Sequence, residues 1–305
     1  MVATVDLPQA SSANIIFDDR LERVYLLSYE GQLVAIDAKT NRAISTLAVS
    51  AASNTVVSWD LAIDPVSGRI FVYFVNESSS YGGSLAVIDA QTNSVVATIA
   101  PRVTGDFGIG GVAVNPVTGC VYVGNFSYGV AVVDGTTNSQ LGSFAFDSQT
   151  FDVAVNAVAN RVFVLTGAGV EVIDGASNVV VNTIGVPNGR AVAANTRTGR
   201  VYVTSGEGHG DGGVTVLDGQ SGSVLKTLTV MNRPENITID ATANRIYVAN
   251  IGSGTVSVID GATDEVVATA TVAHAMGEGI AADPRMGRIY IFEKYDLPHS
   301  LQVLE

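Results

Sequence analysis

Seven residues that stand just before short apolar segments carry the side chains that a binding or catalytic site needs. They are Trp59, Asp60, Phe151, Asp152, Arg190, Glu235 and Glu278. Carboxylates that converge on one point bind hard cations such as Ca²⁺ and Mg²⁺ through their oxygens. We therefore expect Ca²⁺ or Mg²⁺ if the protein holds a metal, and the candidate ligands are Asp60, Asp152, Glu235 and Glu278.

The same positions also allow acid–base chemistry and the recognition of a small molecule. A glutamate with a raised pKa can act as a general acid or base, so Glu235 and Glu278 are candidate catalytic residues, with His274 as a proton carrier. Arg190 can hold a substrate carboxylate through two parallel hydrogen bonds. Contact area for a planar group can come from Trp59, Phe151, Tyr128 and Tyr295. The alternative is that the polar residues only solvate a channel and the aromatic ones pack on their own loops.

Composition excludes several classes of partner and cofactor. The chain has 29 acidic and 16 basic residues, a net charge of −13, and no run of basic residues, which argues against nucleic acid. Cys120 is the only cysteine, so an internal disulfide and a thiolate metal cluster are excluded. No apolar stretch is long enough to span a membrane. The N-terminus lacks the features of a signal peptide, so we expect a cytoplasmic protein, or an extracytoplasmic one if a signal was removed.

Regular elements must position these residues, and the chain supplies them as a repeat. An aliphatic residue followed by an acid recurs seven times, with the acids at Asp37, Asp89, Asp134, Asp174, Asp218, Asp260 and Glu305. Successive acids lie between 40 residues apart (Asp134 to Asp174) and 52 residues apart (Asp37 to Asp89). A four-stranded propeller blade typically spans roughly 40–45 residues.

Two more markers keep the same period. Aliphatic-aromatic-aliphatic triplets centre on Tyr25, Phe71, Tyr122, Phe163, Tyr202, Tyr247 and Tyr290. Short apolar segments end in an Asx residue, whose side chain can bond the backbone two residues later and close a tight turn: Asp18, Asp64, Asn115, Asn156, Asn195, Asp240 and Asp283. The three markers predict an all-β, seven-bladed β-propeller of four-stranded antiparallel blades, in a single domain of residues 1–305.

The two ends of the chain are predicted to close the ring. The seventh repeat stops at Glu305, one strand short, while Val2–Val5 reads like the fourth strands of other repeats. Thr4 falls in line with a threonine in five of those strands: Thr46, Thr98, Thr183, Thr227 and Thr269. We expect the N-terminal strand to complete the last blade, which removes a free sheet edge and favours a monomer.

The segments Arg245–Asn250 and Thr255–Gly261 resemble the repeat of the YVTN-family β-propellers, as does Arg200–Thr204. The third repeat departs from the pattern at Cys120, where the family carries arginine, and the fifth departs at Ser205, where the family carries asparagine. The resemblance covers essentially the whole chain and implies the propeller fold. It implies no single activity, because the repeat is structural and the proteins that carry it have diverse roles.

Two functions remain open for this sequence. Propeller ligands usually meet the rim formed by the loops between blades and the loops between second and third strands, where the candidate residues fall. The first function is a propeller that binds a small molecule, a protein or a glycan on this rim. The second is a metal-assisted lyase or hydrolase that acts on a small molecule at the mouth of the channel, with Ca²⁺ or Mg²⁺ as cofactor.

Overall fold

The computed structural model describes residues 3–6, 12–50, 56–76, 83–102, 110–125, 128–206, 210–272, 276–293 and 300–305. These residues form seven four-stranded antiparallel sheets and contain no helix. The strands are β1 (Ala3–Asp6), β2 (Ser12–Asp18), β3 (Arg23–Ser28), β4 (Gln32–Asp37), β5 (Arg42–Ala48), β6 (Val56–Ile63), β7 (Arg69–Asn76), β8 (Ser84–Asp89), β9 (Ser94–Ile99), β10 (Val112–Asn115), β11 (Cys120–Asn125), β12 (Gly129–Asp134), β13 (Ser139–Ala145), β14 (Thr150–Asn156), β15 (Arg161–Thr166), β16 (Gly169–Asp174), β17 (Val179–Ile184), β18 (Gly189–Ala194), β19 (Arg200–Ser205), β20 (Asp211–Asp218), β21 (Val224–Asn232), β22 (Pro234–Asp240), β23 (Arg245–Asn250), β24 (Thr255–Asp260), β25 (Glu265–Thr271), β26 (Met276–Asp283), β27 (Arg288–Glu293) and β28 (Ser300–Leu304).

Each sheet is one blade of a propeller. Blade 1 is β2–β5, blade 2 is β6–β9, blade 3 is β10–β13, blade 4 is β14–β17, blade 5 is β18–β21, blade 6 is β22–β25, and blade 7 is β26–β28 together with β1. The first strands of neighbouring blades contact each other all the way round, including β26 with β2, so they surround the central channel. We call the end where the first strands begin the upper face, and the end where they finish the lower face. The predicted seven-bladed architecture is confirmed.

The hydrophobic core consists of seven clusters, one at each junction between neighbouring blades. At the junction of blades 7 and 1, for example, Ala281 and Tyr290 pack with Val24 and Ile36. Second and third strands are buried on both sides, which explains their continuous apolar runs, whereas fourth strands such as β25 are exposed. The blades therefore hold one another together by apolar burial, the dominant favourable contribution to folding.

The repeat markers are structural links. Six of the seven Asx side chains accept a hydrogen bond from the backbone N–H two residues later, as predicted, and Asp240 accepts one from Ala243, three residues later. The marker tyrosines reach the next blade: the Tyr25 hydroxyl donates to the carbonyl of Ala90 at 3.1 Å, and that of Tyr202 to Asp264 Oδ1 at 2.8 Å. Function is therefore to be sought at positions where the blades differ.

The predicted closure of the ring is confirmed. Strand β1 pairs antiparallel with β28, and Thr4 lies opposite Gln302 in the register that Thr46 has opposite Val34. Val2 lies outside the described residues. Val5 is buried in the cluster between blades 7 and 1, so the N-terminal strand supplies core contacts as well as backbone hydrogen bonds. Within the described part of the chain, no helix is long and apolar enough to cross a membrane.

Candidate functional site

Six of the first strands carry a β-bulge near the upper face, at equivalent positions. The register shifts lie between Ser12 and Asn14, Ser58 and Asp60, Thr150 and Asp152, Gly189 and Ala191, Pro234 and Asn236, and Met276 and Ile280. A bulge leaves one residue unpaired and re-aims its side chain. In blades 1, 2, 4, 5 and 6 the unpaired residues are, in that order, Ala13, Trp59, Phe151, Arg190 and Glu235. In blade 7, Glu278 falls within the shifted segment.

This bulge corrects the sequence prediction, which placed the candidate residues just before the first strands. In blade 6, for example, the strand begins at Pro234, so Glu235 lies within the strand at the bulge and not before it. The extra residue interrupts the alternation of buried and exposed side chains, so the sequence pattern recognises only the part of the strand after it. Blade 3 differs from the other six, because β10 begins at Val112, after Gly110 and Gly111, and its described pairing has no register shift.

Asp60 links three blades through its carboxylate. Asn14 of blade 1 donates a side-chain N–H to Asp60 Oδ1, and the backbone N–H of Val112 in blade 3 donates to Oδ2 at 2.6 Å. Asn14 is itself oriented by its Oδ1, which accepts from the backbone N–H of Ile15 at 2.8 Å. The sequence singled out Asp60 for its charge but offered no sign of Asn14 as its partner.

Asp152 makes the matching link from blade 4 to blade 5. Its Oδ2 accepts from the backbone N–H of Val192 at 2.8 Å, and its Oδ1 accepts from its neighbour Val153 at 2.8 Å. The carboxylate also lies against Gly111 of blade 3, where an added Cβ would overlap Asp152 Oδ1 and stand 2.5 Å from the nitrogen of Val153. The missing side chain at Gly111 therefore makes room for Asp152. The Gly-Gly pair at 110–111 is the sequence signal for this contact.

The two carboxylates border the same Gly111–Val112 segment and influence each other. Burial raises the pKa of Asp60 to about 6, although the N–H groups of Val112, Leu61 and Asn14 oppose the rise. Burial raises the pKa of Asp152 to about 7, and the charge of Asp60 adds to the rise. The predicted metal ligands Asp60 and Asp152 are thus brought close together, and each already accepts hydrogen bonds from the backbone.

Three candidate residues occupy the same bulge position on neighbouring blades. Phe151 of blade 4 is half-buried and packs against the cluster between blades 4 and 5, while Arg190 of blade 5 is exposed. One Arg190 nitrogen, Nη2, lies 3.4 Å from the carbonyl oxygen of Gly206. Glu235 of blade 6 accepts a hydrogen bond from Arg233 Nε at 2.8 Å, a pairing that no repeat marker indicates. An aromatic ring, a guanidinium and an ion-paired carboxylate therefore follow one another around the upper mouth.

The remaining candidates are placed in part. Tyr128 lies in the loop between β11 and β12 of blade 3, with its side chain 48% exposed and its backbone at a φ of 96°. His274 and Tyr295 lie outside the described residues, as do the side chains of Trp59 and Glu278. Among the described residues, no group of three or more His, Cys, Asp and Glu side chains is arranged to hold a metal ion.

Comparison with known proteins supports the fold. The chain is similar to a solved structure titled "Kuenenia stuttgartiensis Hydrazine Synthase", with a TM-score of 0.78 and 15% sequence identity over 99% of this chain and 97% of that one. At this identity the likeness shows the propeller architecture alone. No protein-family model matches the sequence. No curated protein matches it either.

Proposed function

We propose that this propeller binds a small organic molecule that carries an anionic group and a planar or apolar part, at the upper mouth over blades 4 to 6. The observation that carries the proposal is the shared bulge, which presents a different side chain on each blade from the same backbone geometry. Invariant backbone with variable side chains is what a recognition surface requires, because the scaffold positions the groups that provide specificity.

The side chains at these positions define the class of ligand. Arg190 is exposed and has the planar fork that binds a carboxylate or phosphate through two hydrogen bonds. Phe151 stands at the same position on the preceding blade and offers a partly buried ring for an apolar group. Glu235, which is paired with Arg233, stands at the same position on the blade after Arg190, and its negative charge disfavours a second anionic group there. A monocarboxylate with an aromatic or short apolar body satisfies all three positions.

A panel of small aromatic carboxylates, such as benzoate, phenylacetate and indole-3-acetate, tests this proposal by thermal shift and then by calorimetry. We expect at least one to bind the wild-type protein and to bind Arg190→Gln at least about tenfold more weakly, because a bidentate charged contact is lost. Arg42→Gln is the matched control, since Arg42 is an exposed arginine at the start of β5, the fourth strand of blade 1. Binding that is equal in all three proteins, or absent from the whole panel, contradicts the proposal.

The metal-assisted lyase or hydrolase stays a second candidate because of the Asp60–Asp152 pair. A divalent cation would stabilise the ionised forms of these two neighbouring carboxylates, whose pKa values are raised. Glu235, Glu278 and His274 would supply the acid–base groups. Thermal melts with Ca²⁺, with Mg²⁺ and with a chelator test this. A cation-dependent rise in melting temperature that is lost in Asp60→Asn favours the enzyme, and identical melts in all conditions exclude it.

Membership of the YVTN family and a monomeric state are part of the same proposal. The repeat segments that resemble the family form β19, β23 and β24, with the marker tyrosines Tyr202 and Tyr247 buried or half-buried between blades. Strand β1 serves as the fourth strand of blade 7, so the edge of β28 is paired by the chain itself and needs no second molecule. Sedimentation at several concentrations tests the monomer.

A further inference from the structure

The turns that follow the first strands present one equivalent position of every blade on the lower face. This position, two residues after the Asx marker, is exposed in all seven blades and holds Arg20, Val66, Val117, Val158, Arg197, Thr242 and Arg285. In six of them the backbone N–H of this residue bonds to the Asx side chain at 2.9–3.1 Å. The backbone geometry is therefore shared, and only the side chains differ around the ring.

Blades 2, 3 and 4 carry valine at this position, and we call Val66, Val117 and Val158 the valine arc. Their exposed fractions are 73%, 59% and 66%. Single exposed apolar residues are normal on a protein surface, but three at the same position on consecutive blades form one patch. The turn itself does not require valine, because the other blades close the same turn with arginine or threonine.

Apart from the Asx residue Asp64, which begins the first of them, these three turns carry no charged side chain. The residues on either side of the arc valines are proline, alanine, serine or threonine: Pro65, Ser67, Pro116, Thr118, Ala157 and Ala159. Proline at the position before the valine fixes the backbone of the first two turns, so little flexibility is lost when a partner binds. The arc valines and the residues directly beside them are therefore preformed and uncharged, on a chain whose net charge is −13.

Positive charge stands at both ends of the arc. Arg20 of blade 1 precedes Val66, and Arg197 of blade 5 follows Val158, at the same repeat position. Arg197 is oriented by a 2.6 Å hydrogen bond from Nη1 to the carbonyl of Thr242. Arg285 of blade 7, farther round the ring, is instead paired with Asp19 and Glu22 of blade 1.

This order of charges identifies the chemistry of the partner. A segment with apolar side chains between carboxylates matches both the valines and the flanking arginines. We propose that the valine arc is a docking surface for such a segment of another protein, separate from the ligand site on the upper face.

Two labelled synthetic peptides test this proposal by fluorescence anisotropy on the full chain. One has the sequence Glu-Asp-Gly-Leu-Leu-Leu-Gly-Asp-Glu, and the other replaces each acidic residue with lysine. We expect saturable binding of the acidic peptide below about 1 mM and binding of the basic peptide at least about tenfold weaker, with an affinity for the acidic peptide that falls as salt is added.

Three variants test whether the acidic peptide binds at the valine arc. Val117→Asp should weaken the acidic peptide at least about tenfold, because it places an unpaired carboxylate in the contact, and Arg197→Gln should weaken it and reduce its salt dependence. Leu141→Asp is the control, since Leu141 is a 56% exposed residue of β13, the fourth strand of blade 3, and is not in a turn that follows a first strand. All these positions are exposed, so the variants should fold.

Three outcomes would overturn the proposal. The first is that neither peptide binds saturably, or that both bind equally well. The second is that Val117→Asp has no more effect than Leu141→Asp. The third is a concentration-dependent dimer of the wild-type chain that Val117→Asp abolishes, which would assign the arc to a second copy.

Discussion

Replacing Asp152 by asparagine should remove most of the pH dependence of stability between pH 5 and pH 8. In the folded protein the pKa of Asp152 is about 7, compared with 3.8 for an aspartate in an unfolded chain, because of burial and the charge of Asp60. The folded state therefore binds more protons than the unfolded chain in this range. Its stability must rise as the pH falls through 7 towards 4, and the contribution is complete only below the unfolded pKa.

The size of the effect follows from the two pKa values. Between pH 8 and pH 5, a group whose pKa moves from 3.8 to about 7 on folding contributes roughly 3 kcal/mol of pH-dependent stability. Asp60, whose pKa moves from 3.8 to about 6, contributes roughly 1 kcal/mol over the same range. We expect the wild-type protein to gain about 4 kcal/mol in unfolding free energy on going from pH 8 to pH 5, and Asp152→Asn to gain clearly less.

Urea unfolding at pH 5, 6, 7 and 8 measures this directly. Asp134→Asn is the matched control, because the turn hydrogen bonds from Thr137 and Thr136 hold the pKa of Asp134 below its usual value and keep it ionised throughout the range. The control should keep the wild-type pH dependence whatever its absolute stability. If Asp152→Asn retains the full wild-type slope, the assignment of the raised pKa to the Asp60–Asp152 pair is wrong.

Two further predictions concern the closing blade. Deleting residues 1–7 should destabilise the whole ring by at least about 2 kcal/mol, because Val5 leaves the core and β28 loses its pairing partner; an unchanged melting temperature would count against the closure. Gln302→Leu should stabilise the protein by about 1–3 kcal/mol, because the amide of Gln302 is fully buried and both its polar atoms lack a hydrogen-bond partner among the described residues. A lower melting temperature for this variant would show that the amide is satisfied in solution.

Features that belong to a single repeat were predictable from sequence. The Asx turns follow from one side chain and the backbone two or three residues later, so seven occurrences were enough to place them. The closing strand was predictable because Thr4 keeps the register of its counterparts, such as Thr46. In both cases the determining contacts are local or are repeated along the chain.

Features that depend on two different repeats were not predictable in the same way. The carboxylate of Asp60 was singled out, but its bonds to Asn14 and to the backbone of Val112 join residues 46 and 52 positions away. The bulges were missed because the additional residue breaks the period that reveals a strand. Single sequence positions thus suggested the chemistry of the candidate site, while the geometry arises only when neighbouring blades meet.

The most direct test of the central proposal is a crystal structure of the protein with the tightest-binding aromatic carboxylate of the panel. We predict that the carboxylate contacts the guanidinium of Arg190 and that the ring lies against Phe151 at the upper mouth. A molecule bound on the lower face or between outer strands, with the upper mouth empty, would contradict the assignment of function to the bulge positions.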